Sequence, residues 1–288
     1  MKFAGIIAEY DPFHNGHAWQ LAQAKALGAE RVAVAMSCSL VQRGALPLLP
    51  EAVRTRSALT CGADLVFALP APCACAGAEA FARAGVALLA AAGCDGLVFG
   101  AETPDAALLM EAAELLDSGS YRAALKAQLA GGARSFAAAR QAAVAQLASD
   151  ERVAALLDKP NNNLAVEYCR AIRSLAPRME TYPLPRQGAD HGEALHSAHG
   201  QFASASALRK LWAEGGADAV APYVPEAVFP LYQEAYAAGQ YTDFSAAGRC
   251  ELALLRSACR GKAPFADIRG VSEGLEHRLE AAVRTSTT

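Results

Sequence analysis

Short apolar runs alternate with longer amphipathic stretches over most of this chain. Phe3–Ala8, Arg31–Met36, Leu65–Leu69, Gly96–Phe99 and Met179–Leu184 are brief and aliphatic, the pattern of strands buried on both faces. Between the first four lie Ala- and Leu-rich segments of helical length. That alternation predicts an α/β fold of Rossmann-like type: a five-stranded parallel sheet, ordered 3-2-1-4-5, with helices on both faces. Ligands of such a sheet bind beyond the carboxyl ends of the strands, where the strand order reverses. From Asp105 to Leu157 the pattern is helical throughout and too long for a single crossover, so residues 105–157 read as a helical insertion. After Lys210 no strand pattern returns, and Pro222, Pro225 and Pro230 mark a linker. The expected division is a first domain over 1–212 and a helical C-terminal region over 213–288.

Composition narrows the class. At 288 residues and 53% hydrophobic, the chain can bury a large core. Its longest apolar tract, around Gly85 to Cys94, is far short of a bilayer span, and Glu9 comes too early for a signal peptide. Eight cysteines lie scattered without a Cys-x-x-Cys pair. The expectation is a cytoplasmic protein in a reducing compartment, with no membrane role. A net charge of −3 gives no global attraction to nucleic acid, and nothing points to DNA. An RNA contact would need a local patch, for which Arg54, Arg56, Arg170, Arg173, Arg256, Arg260 and Lys262 are the candidates.

The candidate chemistry begins where the first strand hands over to the first helix, at His14-Asn15-Gly16-His17. Two imidazoles and a helix N-terminus around one point suit a phosphate. Histidine donates a hydrogen bond while neutral or carries charge near neutral pH, so a pair can stabilise charge that accumulates on an α-phosphate during nucleotidyl transfer. Gly16 removes a Cβ from that approach. The spacing also fits a metal pair, but no cysteine is near and Glu9 and Asp11 are the only carboxylates beside it, so no metal site is assigned. Ser204-Ala205-Ser206-Ala207-Leu208-Arg209-Lys210 offers hydroxyls near a helix start and a guanidinium fork for phosphate oxygens, or simply a capped helix with a solvated face. His191, His196 and His199 lie in a polar loop and are left without a role.

The run Gly5-Ile6-Ile7-Ala8-Glu9-Tyr10-Asp11-Pro12-Phe13-His14-Asn15-Gly16-His17 resembles the opening of the bacterial tRNA(Met) cytidine acetate ligases, of the HIGH-type nucleotidyltransferase superfamily. Val41-Gln42-Arg43-Gly44, Phe99-Gly100-Ala101-Glu102, Lys159-Pro160-Asn161-Asn162, the Ser204–Lys210 segment and Val271-Ser272-Glu273-Gly274-Leu275-Glu276 follow in the family's order. The resemblance implies ATP-dependent activation of acetate as acetyl-adenylate, then acetyl transfer to N4 of the wobble cytidine of elongator tRNA(Met). It implies an ATP site, with Mg2+, at Ile7, Ala8, Glu9, Tyr10, Asp11, Pro12, Phe13, His14, Asn15, Gly16, His17, Gln20, Gly100, Asn161, Asn162, Arg186, Ser204, Ser206 and Arg209. His14, His17 and Arg209 would be catalytic. The family usually has Asn at Asp11, Gly-Asn-Phe at Cys38-Ser39-Leu40, Ser at Ala101 and Gly-Tyr-His at Asp190-His191-Gly192. Those departures keep two alternatives open: a nucleotidyltransferase that adenylylates a small molecule without tRNA, and an ATP-binding protein without catalysis.

Overall fold

The computed structural model describes residues 1–132, 135–185, 195–197, 200–259, 265, 268, 271 and 274–287. Strands β1 (Phe3–Ala8), β2 (Arg31–Ser37), β3 (Leu65–Leu69), β4 (Gly96–Ala101) and β5 (Glu180–Pro185) make one parallel sheet in the order β3-β2-β1-β4-β5. This is the expected order. The inner strands β1, β2 and β4 are largely buried, whereas the edge strands β3 and β5, covered on fewer sides, are mostly half-buried or exposed. In β2, Val32, Val34 and Met36 pack on one face with Leu21 and Ala24 of α1 (Asn15–Ala26) and Val53 and Ala58 of α2 (Glu51–Thr60). Ala33 and Ala35 face the other side, with Phe81, Val86 and Leu89 beyond α3 (Ala71–Ala74) in α4 (Ala78–Ala91). A Cβ at Gly5 would lie 2.8 Å from Leu89 Cδ1, so glycine there lets α4 press directly on the central strand.

The expected insertion is helical: α5 (Ala106–Asp117), α6 (Gly119–Ala130), α7 (Phe136–Leu147) and α8 (Glu151–Leu156). Asp105, Ser118, Ser135 and Asp150 start these four helices by accepting the backbone N–H of Leu108, Tyr121, Ala138 and Arg152. The chain then returns through α9 (Pro160–Leu175), which packs on α4 and against β4.

Two features differ from the sequence expectation. A short antiparallel hairpin, β6 (Leu195–Ser197) and β7 (Gly200–Phe202), follows β5; three-residue strands leave too little periodicity to read. The boundary also moves. Helix α10 (Ala205–Val220) runs through 212–213, and Trp212, Val220 and Tyr232 of α11 (Phe229–Ala237) are buried in the same core as β1. The compact unit is therefore Met1–Gln240. Pro222 sits in a 3-10 turn (Ala221–Tyr223) and Pro230 in the first turn of α11, where a missing N–H costs nothing, so neither marks a linker. The second unit, Tyr241–Thr288, holds α12 (Phe244–Ala258) and α13 (Leu275–Thr285) around Leu252, Phe265 and Val283. Among the described residues no helix is long and apolar enough to cross a membrane.

Candidate functional site

The loop from β1 to α1 is held by aromatic packing. Tyr10, at φ 51°, and Phe13 are fully buried with ring centroids 4.9 Å apart, and the His17 ring lies 4.8 Å from Tyr10 and 5.6 Å from Phe13. The Asp11-Pro12 peptide is cis. His14 is the N-cap of α1: its Nδ1 accepts from Gly16 N at 3.0 Å, while His17 Nδ1 accepts from His14 N at 3.3 Å. This is a capping box made of two histidines instead of the usual hydroxyl and carboxylate or carboxamide. The rings stack at 3.7 Å and 22°. A ring nitrogen that accepts an N–H carries no proton, so in each neutral imidazole the proton is on Nε2. The cap thus turns both side chains into Nε2–H donors. A Cβ at Gly16 would stand 2.9 Å from His14 Cε1, so this glycine is demanded by the capping ring as well as by any approaching ligand.

The Ser204–Lys210 segment reaches the same loop. Ser204 caps α10 by accepting from Ala207 N at 3.2 Å, and its Oγ lies 3.0 Å from the Ser206 Oγ. One turn on, Arg209 Nη1 donates to the Asp11 backbone oxygen at 2.7 Å and to Asp11 Oδ2 at 3.0 Å. Asp11 is buried, and its Oδ1 accepts from Leu48 N at 2.6 Å. Burial raises the Asp11 carboxyl above its ordinary value despite the Leu48 bond and the Arg209 and Arg54 charges.

Around this junction, beyond the carboxyl ends of the strands, lies a cavity of about 350 Å3. Of the residues expected at the ATP site, Ile7, Ala8, Glu9, Tyr10, Asp11, His14, Gly16, His17, Gln20, Gly100 and Asn161 line it. Gln20 is fixed there by donating to Val98 O at 3.2 Å. Pro12, Phe13, Asn15, Asn162, Ser204, Ser206 and Arg209 do not line it. Phe13 is core, and Asn15 donates to Pro222 O at 3.2 Å. Asn162 is buried and spends its amide on Thr103, accepting from N at 2.9 Å and donating to Oγ1 at 3.1 Å; it braces the turn after β4. Ser204, Ser206 and Arg209 stand at its border through Ala205, which does line it. Arg186, His191 and His199 lie outside the described residues, as does the side chain of His196.

Sequence reasoning missed the apolar wall: Trp19, Phe81, Phe99, Leu164, Tyr168, Leu184 and Pro185. Phe81, Phe99, Tyr168 and Leu184 are buried and read as core, Trp19 and Leu164 are half-buried and Pro185 is exposed; only the fold shows which edge faces a void. Glu102 holds the lining residue Asn161 in place. It accepts from Asn161 Nδ2 at 2.6 Å and from the backbone N–H of Asn162 at 2.7 Å, so it caps the α9 N-terminus. Burial works against its ionisation, but the bonds from Asn161 and Asn162 outweigh it and hold the carboxyl below its ordinary value.

Of the candidates for an RNA-binding patch, Arg56 is exposed and lies 3.8 Å from Glu234. Arg54 is fully buried and donates to the carbonyls of Leu49, Glu9, Ser37 and Cys38, tying the ends of β1 and β2 to the start of α2. Arg170 pairs with Asp117 at 2.8 Å and Glu167 at 2.7 Å, and Arg173 pairs with Glu114. Arg256 donates to Val283 O at 3.1 Å in the second unit, and Arg260 and Lys262 lie outside the described residues.

A doubly wound sheet with a histidine-capped helix at its switch point and an arginine brought to it from α10 defines a nucleotide-transferring fold. The HIGH Nucleotidyl Transferase family model matches residues 1–288, and the chain belongs to this family. It is 37% identical over 289 residues to the tRNA(Met) cytidine acetate ligase of Syntrophotalea carbinolica, covering 99% of this chain and 67% of that one. To the protein of the same name in Caldanaerobacter subterraneus it is 34% identical, covering 98% and 70%. Among solved structures, Thermotoga maritima TmcAL bound with alpha-thio ATP superposes with a TM-score of 0.86 at 30% identity, covering 99% of this chain and 68% of that one.

Proposed function

We propose that this protein is a cytoplasmic ATP-dependent ligase that activates acetate as acetyl-adenylate and passes the acetyl group to N4 of the wobble cytidine of elongator tRNA(Met). The relatives' names and the ATP analogue on the Thermotoga protein support the reading. The observation that carries it is the meeting of Arg209 with the His14–His17 loop across 198 residues of chain, beside a cavity large enough for part of a nucleotide.

In this reading ATP enters with its base toward Gly100 and its α-phosphate at the Nε2–H groups of His14 and His17. These donors meet charge that grows as acetate oxygen adds to the α-phosphorus. Arg209, with Ser204 and Ser206 at the start of α10, holds the departing β- and γ-phosphates. Among the described residues no group of three His, Cys, Asp or Glu is placed to hold a metal, so Mg2+ would arrive on the phosphates themselves. The catalytic machinery belongs to the Met1–Gln240 unit. Carboxylate-dependent exchange of radiolabelled pyrophosphate into ATP tests the first step; its absence with acetate and other small carboxylates rejects the reading.

One observation favours a second reading, adenylylation of a small molecule without RNA. Of the nominated arginines in the Met1–Gln240 unit, Arg54 is core and Arg56, Arg170 and Arg173 lie against carboxylates. Exchange that proceeds with no acetyl transfer to elongator tRNA(Met) would select it.

A further inference from the structure

The cavity has two ends, set by the strand order. Gly100, Leu184 and Pro185 lie over β4 and β5, whereas Glu9 and Gln42 follow β1 and β2. At that second end Glu9 Oε1 accepts from Gln42 N at 2.5 Å, and the wall running from it toward β4 is aromatic: Phe81 from α4, Phe99 of β4 and Tyr168 of α9, each almost wholly buried. Phe99 and Tyr168 have ring centroids 5.5 Å apart. A carboxylate repels a triphosphate, so its presence in the wall of an anion-binding cavity calls for a different neighbour. An unstacked base fits: such bases are taken between apolar rings and read on their pairing edge, and a carboxylate is the natural acceptor for the N4 amine of cytosine.

We propose that the Glu9–Phe81–Phe99–Tyr168 end receives the aminopyrimidine ring of the acceptor, and that Glu9 is the general base of the second step. This rests on the two-step reading above. The N4 lone pair attacks the acyl carbon and a C–N bond forms. The anhydride C–O bond breaks, its electron pair leaving on the phosphate of AMP, and one N4 proton passes to a Glu9 oxygen. Burial, and less strongly the charge of Asp11, raise the Glu9 carboxyl toward the range where a base is effective, against the Gln42 bond and the charges of Arg209 and Arg54. The other titrating groups on the cavity are the Asp11 carboxyl, the imidazoles of His14 and His17, the Tyr10 phenol, which burial pushes up, and the Tyr168 phenol, which burial and Glu9 push up.

The test compares the full-length parent with Glu9→Gln in two assays run with acetate and ATP: acetohydroxamate formed with hydroxylamine, a nucleophile that needs no base, and acetyl transfer to an elongator tRNA(Met) transcript. The ratio of transfer to hydroxamate should fall by about 10²-fold, the scale for losing a general base, and the acid limb of the parent's transfer rate should vanish. Glu9→Asp should give an intermediate ratio with the limb retained, which covers the case of a poorly folding Glu9→Gln. An unchanged ratio in both variants, or weaker ATP binding with the ratio kept, overturns the role of Glu9. A parent that forms no hydroxamate and exchanges no pyrophosphate overturns the two-step reading, and this one with it.

Discussion

Arg209 reaches Asp11 twice, through the carboxylate and through the main-chain oxygen, so one guanidinium both neutralises the loop and fixes its path. The residue is Asp where the family usually has Asn, and the consequence is electrostatic: part of the positive potential that Arg209 would offer to phosphate is spent on its neighbour. Asp11→Asn keeps the Oδ1 acceptor for Leu48 N and the main-chain oxygen for Arg209, while removing the charge and the second side-chain acceptor. ATP affinity should rise by roughly 3- to 10-fold and become more sensitive to salt, the direction expected when an opposing charge leaves a phosphate site. Equilibrium dialysis at two ionic strengths checks it; unchanged affinity would place Arg209 outside the phosphate site.

The two histidines have separable duties. His17→Ala should lower pyrophosphate exchange by about 10²- to 10³-fold with little change in ATP affinity, because a donor aimed at developing charge acts on rate. His14 is also the cap of α1, so His14→Ala adds a stability loss of about 1 kcal/mol. His14→Asn supplies a new cap without the ring. Its urea midpoint should match the parent while exchange stays low; recovered exchange would reduce His14 to a structural cap.

Two glycines give opposite signatures. Gly16→Ala should disturb the cap, since the new methyl would meet the His14 ring at 2.9 Å, lowering both stability and exchange. Gly100→Val should leave the fold intact and weaken ATP binding by bulk at the β4 end of the cavity. Thermal denaturation read alongside nucleotide binding separates them.

The sheet was legible because each strand is an apolar run between helices, and the order 3-2-1-4-5 follows from right-handed crossovers around a central first strand. Helix starts were legible wherever Asp or Ser precedes the run, as at Asp105 and Ser118. Burial of charge was not. Arg54 sits in an ordinary amphipathic helix, Glu51–Thr60, and nothing in its spacing tells that four carbonyls from three segments converge on its guanidinium. Trp212 and Tyr232 likewise belong to helices that read as an appendage, and only long-range packing places them under β1. At the site, the motif residues were readable as chemistry, whereas Phe81, Phe99 and Tyr168 were indistinguishable from core.

Arg54 therefore yields a prediction that guards against a misreading. Arg54→Met should destabilise the protein by about 3 kcal/mol or more, because the four carbonyls lose their donor in a dry environment. Loss of tRNA binding in that variant would accompany a lowered urea midpoint and would report loop collapse, not a lost phosphate contact. An unaltered midpoint would contradict the buried clamp.

The last prediction concerns acid. Burial raises both Glu9 and Asp11 in the folded protein, so the native state holds protons that the unfolded chain gives up. With more protons bound in the native state, stability falls as pH rises. The contribution of the two carboxyls is fully present below their ordinary values, near 4, and is lost as pH climbs through the raised folded values. Chemical denaturation of the parent and of the Glu9→Gln, Asp11→Asn double variant should show the parent losing stability relative to the variant across that interval and a constant difference above it. A difference that instead grows in the parent's favour with pH would mean that Arg54 and Arg209 outweigh burial, and that both carboxylates are ionised by design.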